Sequence, residues 1–225
     1  MNRAETLQQL ARLCRGDRDD AAQAAVVPSC VQALDAVLPG GGWRAGAIVE
    51  LMPMDVGIGE LRLLLPALAQ ITNAERHIAF ISPPYVPYAP ALVQQGVNLE
   101  RLLIIQAQSA KDVLWSVEQT LRCRAFGAVL AWPTAARDRD VRRLQLAAEA
   151  GESIGFIYRP AAAARESSPA AVRLLLQAAQ QGALRIDVLK CRGARGGFSI
   201  HAPSSLSDRT EAAATLSEHP RSDIR

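Results

Sequence analysis

Aromatic residues are scarce: Phe, Trp and Tyr make up 4% of the 225 residues. Yet 49% of the chain is hydrophobic, so Leu, Ile, Val and Ala must fill any core. Lysine is scarcer still. Lys111 and Lys190 are the only two, and arginine supplies the rest of a basic set whose formal excess is +3. A charge that small gives no general affinity for nucleic acid; a DNA-binding face would need local clustering. Cys14, Cys30, Cys123 and Cys191 form no C-x-x-C pair and fit no zinc spacing. Reduced thiols in a cytosol-like compartment are the expectation. His77, His201 and His219 lie too far apart to predict a metal site, and Ser29, Ser82 and Ser109 lack a G-x-S-x-G context for nucleophilic catalysis. Long hydrophobic runs are missing too. The longest, such as Leu63–Ala69, are far too short to cross a bilayer, and the opening MNRAETLQQLARLCRGD has no signal-peptide core. A cytoplasmic protein without membrane contact is expected.

What is present is alternation. Leu7, Leu10 and Leu13 fall at helical spacing, which predicts an amphipathic helix over 4–14. The polar, Ala-rich stretch 15–25 reads as a linker. A Gly-rich turn at Gly40, Gly41 and Gly42 leads into a buried strand at 47–52. Further strands are predicted at 77–81, 102–105, 128–132 and 154–158. Helices are predicted between them at 60–72, 89–95, 111–124 and 137–150, with Pro66 straining the first and Gly96 and Gly151 closing the second and fourth. Short, uniformly apolar strands alternating with amphipathic helices mean an α/β domain: a mostly parallel twisted sheet with helices on both faces. Strands at 172–177, 184–191 and 196–200 add an antiparallel C-terminal extension. Residues 203–225 hold few large apolar groups and are expected to be disordered. The predicted organisation is a helix and linker over 1–25, a core domain over 26–202 and a tail over 203–225.

The segments LDAVLPGGGWRAGAIVEL, HIAFISPPYVPYAP, LVQQGVNLERLLIIQ and CRAFGAVLAW follow one another as in the RecA core, which implies a RecA-like P-loop fold. Within that group, GIGELRLLLPAL, ISPPYVPYAPAL, AVLAWP and VLKCRGARGG resemble the ImuA family of damage-induced mutagenesis accessories. That resemblance implies a non-catalytic role in SOS translesion synthesis. Its implied partners are an ImuB-type Y-family-like protein, RecA and an error-prone replicative-type polymerase. Three other readings stay open: a residual ATPase with a non-standard loop, a SulA-like SOS inhibitor of cell division acting on the division GTPase, and a RecA-like protein with weak nucleotide or DNA binding.

The nucleotide chemistry is missing. A working P-loop, G-x-x-x-x-G-K-[ST], needs a lysine for the phosphates and a hydroxyl for magnesium. The corresponding stretch runs from Pro53 to Glu60, with Gly57, Gly59 and Glu60 where the loop would close. No register supplies a lysine. Trp132 stands where the magnesium acid is expected, Pro83 and Pro84 where the general base is, and Arg159 at the polar sensor position. No ATPase activity and no cofactor are therefore expected. Candidate partner contacts are Leu7, Leu10 and Leu13, Trp132 at a strand's carboxyl end, and Lys190 and Arg192 within the segment 189–195. Arg139 and Arg143 share a helix face and are the candidate DNA contacts, though the interleaved Asp138 and Asp140 favour a solvated, salt-bridged face. Any DNA contact would be weak and salt-sensitive.

Overall fold

The computed structural model describes residues 3–16, 26–193, 196–203 and 217–218. Most of the predicted linker, and the tail apart from Pro203 and Ser217–Glu218, lie outside the described residues. The elements are α1 (Arg3–Gly16), β1 (Val26–Val27), α2 (Gln32–Asp35), β2 (Trp43–Arg44), β3 (Ile48–Pro53), α3 (Leu65–Asn73), β4 (His77–Ile81), α4 (Ala89–Gln94) and β5 (Leu102–Ile105). Then come α5 (Ala110–Arg122), β6 (Phe126–Ala131), α6 (Asp138–Gly151), β7 (Ile154–Tyr158), β8 (Val172–Ala178), β9 (Leu184–Cys191), β10 (Phe198–Ala202) and β11 (Ser217–Glu218).

The main sheet has the order β11-β10-β9-β8-β3-β7-β6-β4-β5. From β8 to β5 every neighbouring pair is parallel. From β8 to β11 every pair is antiparallel. Alternating side chains feed two apolar layers. Val49, Leu51, Ile78, Phe80, Leu130 and Phe156 join Leu64, Leu68 and Ile71 on one face. Ile48, Ala79, Ile81, Val129 and Ile157 join Val117, Leu121, Val141 and Leu144 on the other. This explains why all six residues of β6 and all five of β7 are buried: neither face meets water. The Gly40–Gly42 turn does lead into the sheet, through the β1–β2 ribbon that pairs Val27 with Trp43.

Three local expectations are corrected. The helix predicted over 60–72 is split into a 3-10 turn at Leu61–Leu63 and α3. Pro66 is the cause: without an N–H it fits only the first turn, so the α-helix starts beside it. Gly151 is not a left-handed cap; Glu152 takes that conformation, with φ 50°. Gly151 is there for close approach, since a Cβ would lie 1.9 Å from the Leu121 carbonyl oxygen of α5. Gly96, by contrast, does follow α4 with φ 82°. The expectation of four reduced cysteines fails for one pair. Cys14 in the last turn of α1 and Cys123 at the end of α5 form a disulfide with Cα atoms 6.1 Å apart. They are separated by 109 residues, a distance no spacing rule could bridge. Among the described residues no helix is long and apolar enough to cross a membrane.

Candidate functional site

In open parallel sheets ligands bind outside the carboxyl ends of the strands. Here that rim is largely filled. β3 ends at Pro53, and the loop to residue 60 carries Gly57 and Gly59 at φ 77° and 95°. The Gly57 N–H, a group that would cradle a phosphate, faces the Glu60 carboxylate at 3.4 Å. The loop thus carries its own anion. One cation is present that the motif gave no reason to expect. The Arg62 guanidinium lies over Gly59, so close that a Cβ there would sit 2.5 Å from it, and it donates to the Gly182 carbonyl at 3.3 Å.

Aromatic side chains occupy the rest of the rim. Trp132 stacks on Tyr158 with centroids 4.6 Å apart and planes 8° from parallel, and meets Phe80 edge-on at 5.8 Å. Burial, with the Glu60 carboxylate adding to it, pushes the Tyr158 phenol far above its ordinary range. Its hydroxyl is a neutral donor, buried and unpartnered, as is one Glu60 oxygen. Trp132 is half-buried and spends its ring on this stack rather than on the surface.

Below the rim lies a charge cluster that the motif reasoning missed. Glu50, in the middle of β3, is fully buried. It accepts from Arg159 at 3.0 Å, Arg173 at 2.7 Å and Ser168 at 2.9 Å. Arg159 also donates to the Ala136 carbonyl at 2.9 Å and to Glu166 at 2.7 Å. Arg173 donates to the Ala163 and Glu166 carbonyls at 2.6 and 2.7 Å. The network ties the loops after β6 and β7 to the sheet. Those loops flank a crevice of about 660 Å³ with Thr134, Arg137 and Ser167 on its walls. Arg159, the expected sensor, is a structural tie. A charge inside the apolar runs AIVELM and VRLLL was the signal that could have found this cluster.

The other predicted residues do not converge. Leu10 is buried and Leu13 half-buried against α5, while Leu7 stays exposed. Lys190 donates to the Ser168 carbonyl at 2.6 Å and Arg192 to the Pro169 carbonyl at 3.3 Å, so both brace the loop before β8. Burial depresses the Lys190 ammonium below its usual range. Arg143 pairs with Glu118, its Nε 3.2 Å from the carboxylate, and Arg139 is exposed with Asp140 4.0 Å away. No cluster of His, Cys, Asp or Glu among the described residues could hold a metal ion.

The exposed apolar surface was also missed. Tyr85, Val86, Tyr88 and Val93 are 70%, 87%, 72% and 56% exposed, on the segment joining β4 to β5. Its base is fixed: the Ser82 N–H donates to the Ile105 carbonyl at 2.7 Å, and the Ser82 hydroxyl accepts from Ala107 at 3.2 Å. Pro83, Pro84, Pro87 and Pro90 stiffen it, and from Ile78 to Leu99 the chain holds no Asp, Glu, Lys or Arg.

These features define a mixed α/β domain whose carboxyl rim is filled around the Gly57–Glu60 loop, Trp132 and Tyr158, keeps a crevice between the loops after β6 and β7, and carries an exposed apolar loop. The family described as "Cell division inhibitor SulA" matches residues 46–155, a stretch that contains the exposed loop and the Gly57–Glu60 and Trp132 part of the rim, while Tyr158, Arg159 and Arg173 lie beyond it. The SulA of Photorhabdus laumondii subsp. laumondii is 31% identical over 112 residues, 50% of this chain and 63% of that protein. That of Serratia marcescens is 28% identical over 119 residues, 53% of this chain and 71% of the relative. That of Pectobacterium carotovorum subsp. carotovorum is 31% identical over 99 residues, 44% and 59% respectively. The matched stretch thus spans less than two thirds of the Photorhabdus and Pectobacterium proteins.

These matches overturn the ImuA resemblance. GIGELRLLLPAL, ISPPYVPYAPAL and AVLAWP all fall within 46–155, where the similarity is to SulA. Short apolar strand-and-turn segments report the α/β frame more than the family it serves. The fourth segment, VLKCRGARGG, carries the two cations that brace the chain's own loop. The translesion role and the ImuB-type, RecA and polymerase partners implied by that resemblance fall with it.

Proposed function

We propose that this chain is an SOS-type inhibitor of cell division that binds the division GTPase stoichiometrically in the cytoplasm, without catalysis. The observation that carries this reading is the uncharged, proline-braced surface of Tyr85, Val86, Tyr88 and Val93 inside the segment similar to SulA. Exposed tyrosines on a stiff loop are suited to docking. They bring large contact area, and little conformational freedom is lost on binding. The frame is taken to be RecA-like, with a phosphate loop that no longer holds nucleotide: Glu60 stands against the Gly57 amide and no lysine follows.

The test is sedimentation of the purified division GTPase in its GTP-driven polymer, with and without this protein. Polymer is expected to fall in proportion to the inhibitor added. Tyr85→Ala and Tyr88→Ala are each expected to weaken binding about 30-fold, the equivalent of roughly 2 kcal/mol at an interface anchor. Because the loop carries no charge, affinity should change little between low and high salt. Full polymer at excess inhibitor would sink the reading.

A further inference from the structure

We propose that the loop from Pro53 to Glu60 is a second docking prong on the same rim as the Tyr85–Tyr88 loop, and that the two together receive one apolar ridge of a protein partner, with a lysine or arginine of that ridge set opposite Asp55. On the inhibitor reading, on which this depends, the division GTPase supplies the ridge. β3, β7, β6 and β4 are neighbours in that order and all run parallel. The loops that follow them therefore leave from one edge of the sheet. Three strand spacings of about 4.8 Å put the starts of the loops after β3 and β4 about 14 Å apart. Met54 and Val56 on the first loop are 51% and 71% exposed. Single exposed apolar side chains are ordinary on any surface. Here two sets of them share one rim, with the half-buried Trp132 at the end of β6 between them, and such a concentration marks a contact surface.

Area makes the same demand. A stable complex covers about 800 Å² on each partner. An aromatic side chain brings about 200 Å² and a valine less, so Tyr85, Val86, Tyr88 and Val93 alone fall short. A partner seated on them must reach further along the rim, and Met54 and Val56 extend the apolar surface across it. The second prong is held ready. The Met54 N–H donates to the Leu176 carbonyl at 2.9 Å, which ties the start of the loop to β8. Ile58 packs against the core beneath, and the Gly57 N–H faces the Glu60 carboxylate. Little order is left to be gained on binding. Charge sets the direction of docking. The tyrosine end is neutral, since no Asp, Glu, Lys or Arg occurs from Ile78 to Leu99. The other end is acidic: Asp55 is exposed between Met54 and Val56, and Glu60 closes the same loop. A carboxylate on the partner would be repelled there, whereas a lysine or arginine is matched. One exposed ion pair alters affinity only a few-fold, so the overall salt dependence stays small and the pair acts chiefly to orient the ridge.

The experiment titrates the full chain with the purified division GTPase by calorimetry. The double variant Met54→Ala with Val56→Ala is expected to bind about tenfold more weakly than the parent. Asp55→Lys should weaken binding about tenfold as well, and Asp55→Asn only a few-fold. All three positions are exposed, so thermal melts should match the parent and separate lost contact from lost fold. Hydroxyl-radical footprinting of the parent complex reads the same surface without substitution: Met54 oxidation should fall together with that of Tyr85 and Tyr88. If the parent binds and Tyr88→Ala weakens it, while the double variant binds like the parent and Met54 oxidises as in the free chain, the second prong is overturned and the inhibitor reading stands. Binding by Asp55→Lys as tight as the parent's overturns the cationic partner group. No binding by the parent overturns both the prong and the inhibitor reading.

Discussion

Replacing Glu50 by alanine strikes the point where burial and charge are most tightly coupled. The carboxylate is fully buried and accepts three hydrogen bonds, two from guanidinium groups whose side chains are 6% and 7% exposed. Its removal leaves those two cations facing each other with one exposed acid, Glu166, still in reach of Arg159. Breaking a buried pair by deleting one partner costs about 3–5 kcal/mol, because the remaining charge stays desolvated. For a chain of this size about 2–4 °C of melting temperature follows each kcal/mol, so a fall of roughly 10 °C is expected. Urea unfolding followed by circular dichroism measures it, with the midpoint shifting and the slope unchanged. The sharper test adds the partners. Glu50→Leu combined with Arg159→Met and Arg173→Met removes all the central charges and should recover stability to within about 1 kcal/mol of the parent. A single Glu50→Ala variant that loses less than about 1 kcal/mol would refute the account, since neither guanidinium would then have depended on the carboxylate.

Gly151→Ala places a methyl group against the Leu121 carbonyl and should cost about 3 kcal/mol in thermal unfolding, although alanine is the better helix former. The Asp112 carboxyl is held below its ordinary value by hydrogen bonds from Ser109 and then from Arg3. A depressed carboxylate stabilises the fold above its unfolded pKa and loses that effect as pH falls through the folded one. Docking of α1 should therefore weaken as pH falls below 3.8, the ordinary aspartate value, read as faster α1 hydrogen exchange, and Asp112→Asn should remove the pH response. Incubation with ATP and magnesium should give no turnover above buffer; metal-dependent hydrolysis would restore a role to the loop at Gly57–Glu60.

Sequence pattern located the strands through their apolar runs. IAFI, LLII and IGFIY lie in β4, β5 and β7; β4 and β7 are buried on both faces, whereas β5 at the sheet edge leaves Ile104 40% exposed. Three things were not legible. Helix starts depend on where proline's missing N–H can be tolerated, which moved α3 to Leu65. Contacts between distant residues leave no local trace. The Cys14–Cys123 bond and the Glu50 cluster each join positions more than a hundred residues apart. Exposure on a loop cannot be read from composition either. In ISPPYVPYAPAL the prolines mark a turn, but nothing in the letters shows that Ser82 is anchored and the tyrosines beyond it left outside. Family resemblance failed for a related reason: its segments were dominated by residues that build the frame.

On the proposed reading, that frame trades a nucleotide site for a fixed surface. A phosphate loop works by holding open amides around an empty site until the anion arrives. Here the Gly57 amide faces Glu60, Arg62 covers Gly59, and Trp132 and Tyr158 close the space beside them. The loops after β6 and β7 are tied down through Arg159 and Arg173. With its rim filled, the sheet carries the Tyr85–Tyr88 loop on a base with few alternative arrangements. A rigid anchor gives up less entropy on binding than a mobile one. On the proposed reading the ordering cost is met during folding, by the buried charges and stacked rings, so that the apolar tip would meet a partner already in shape.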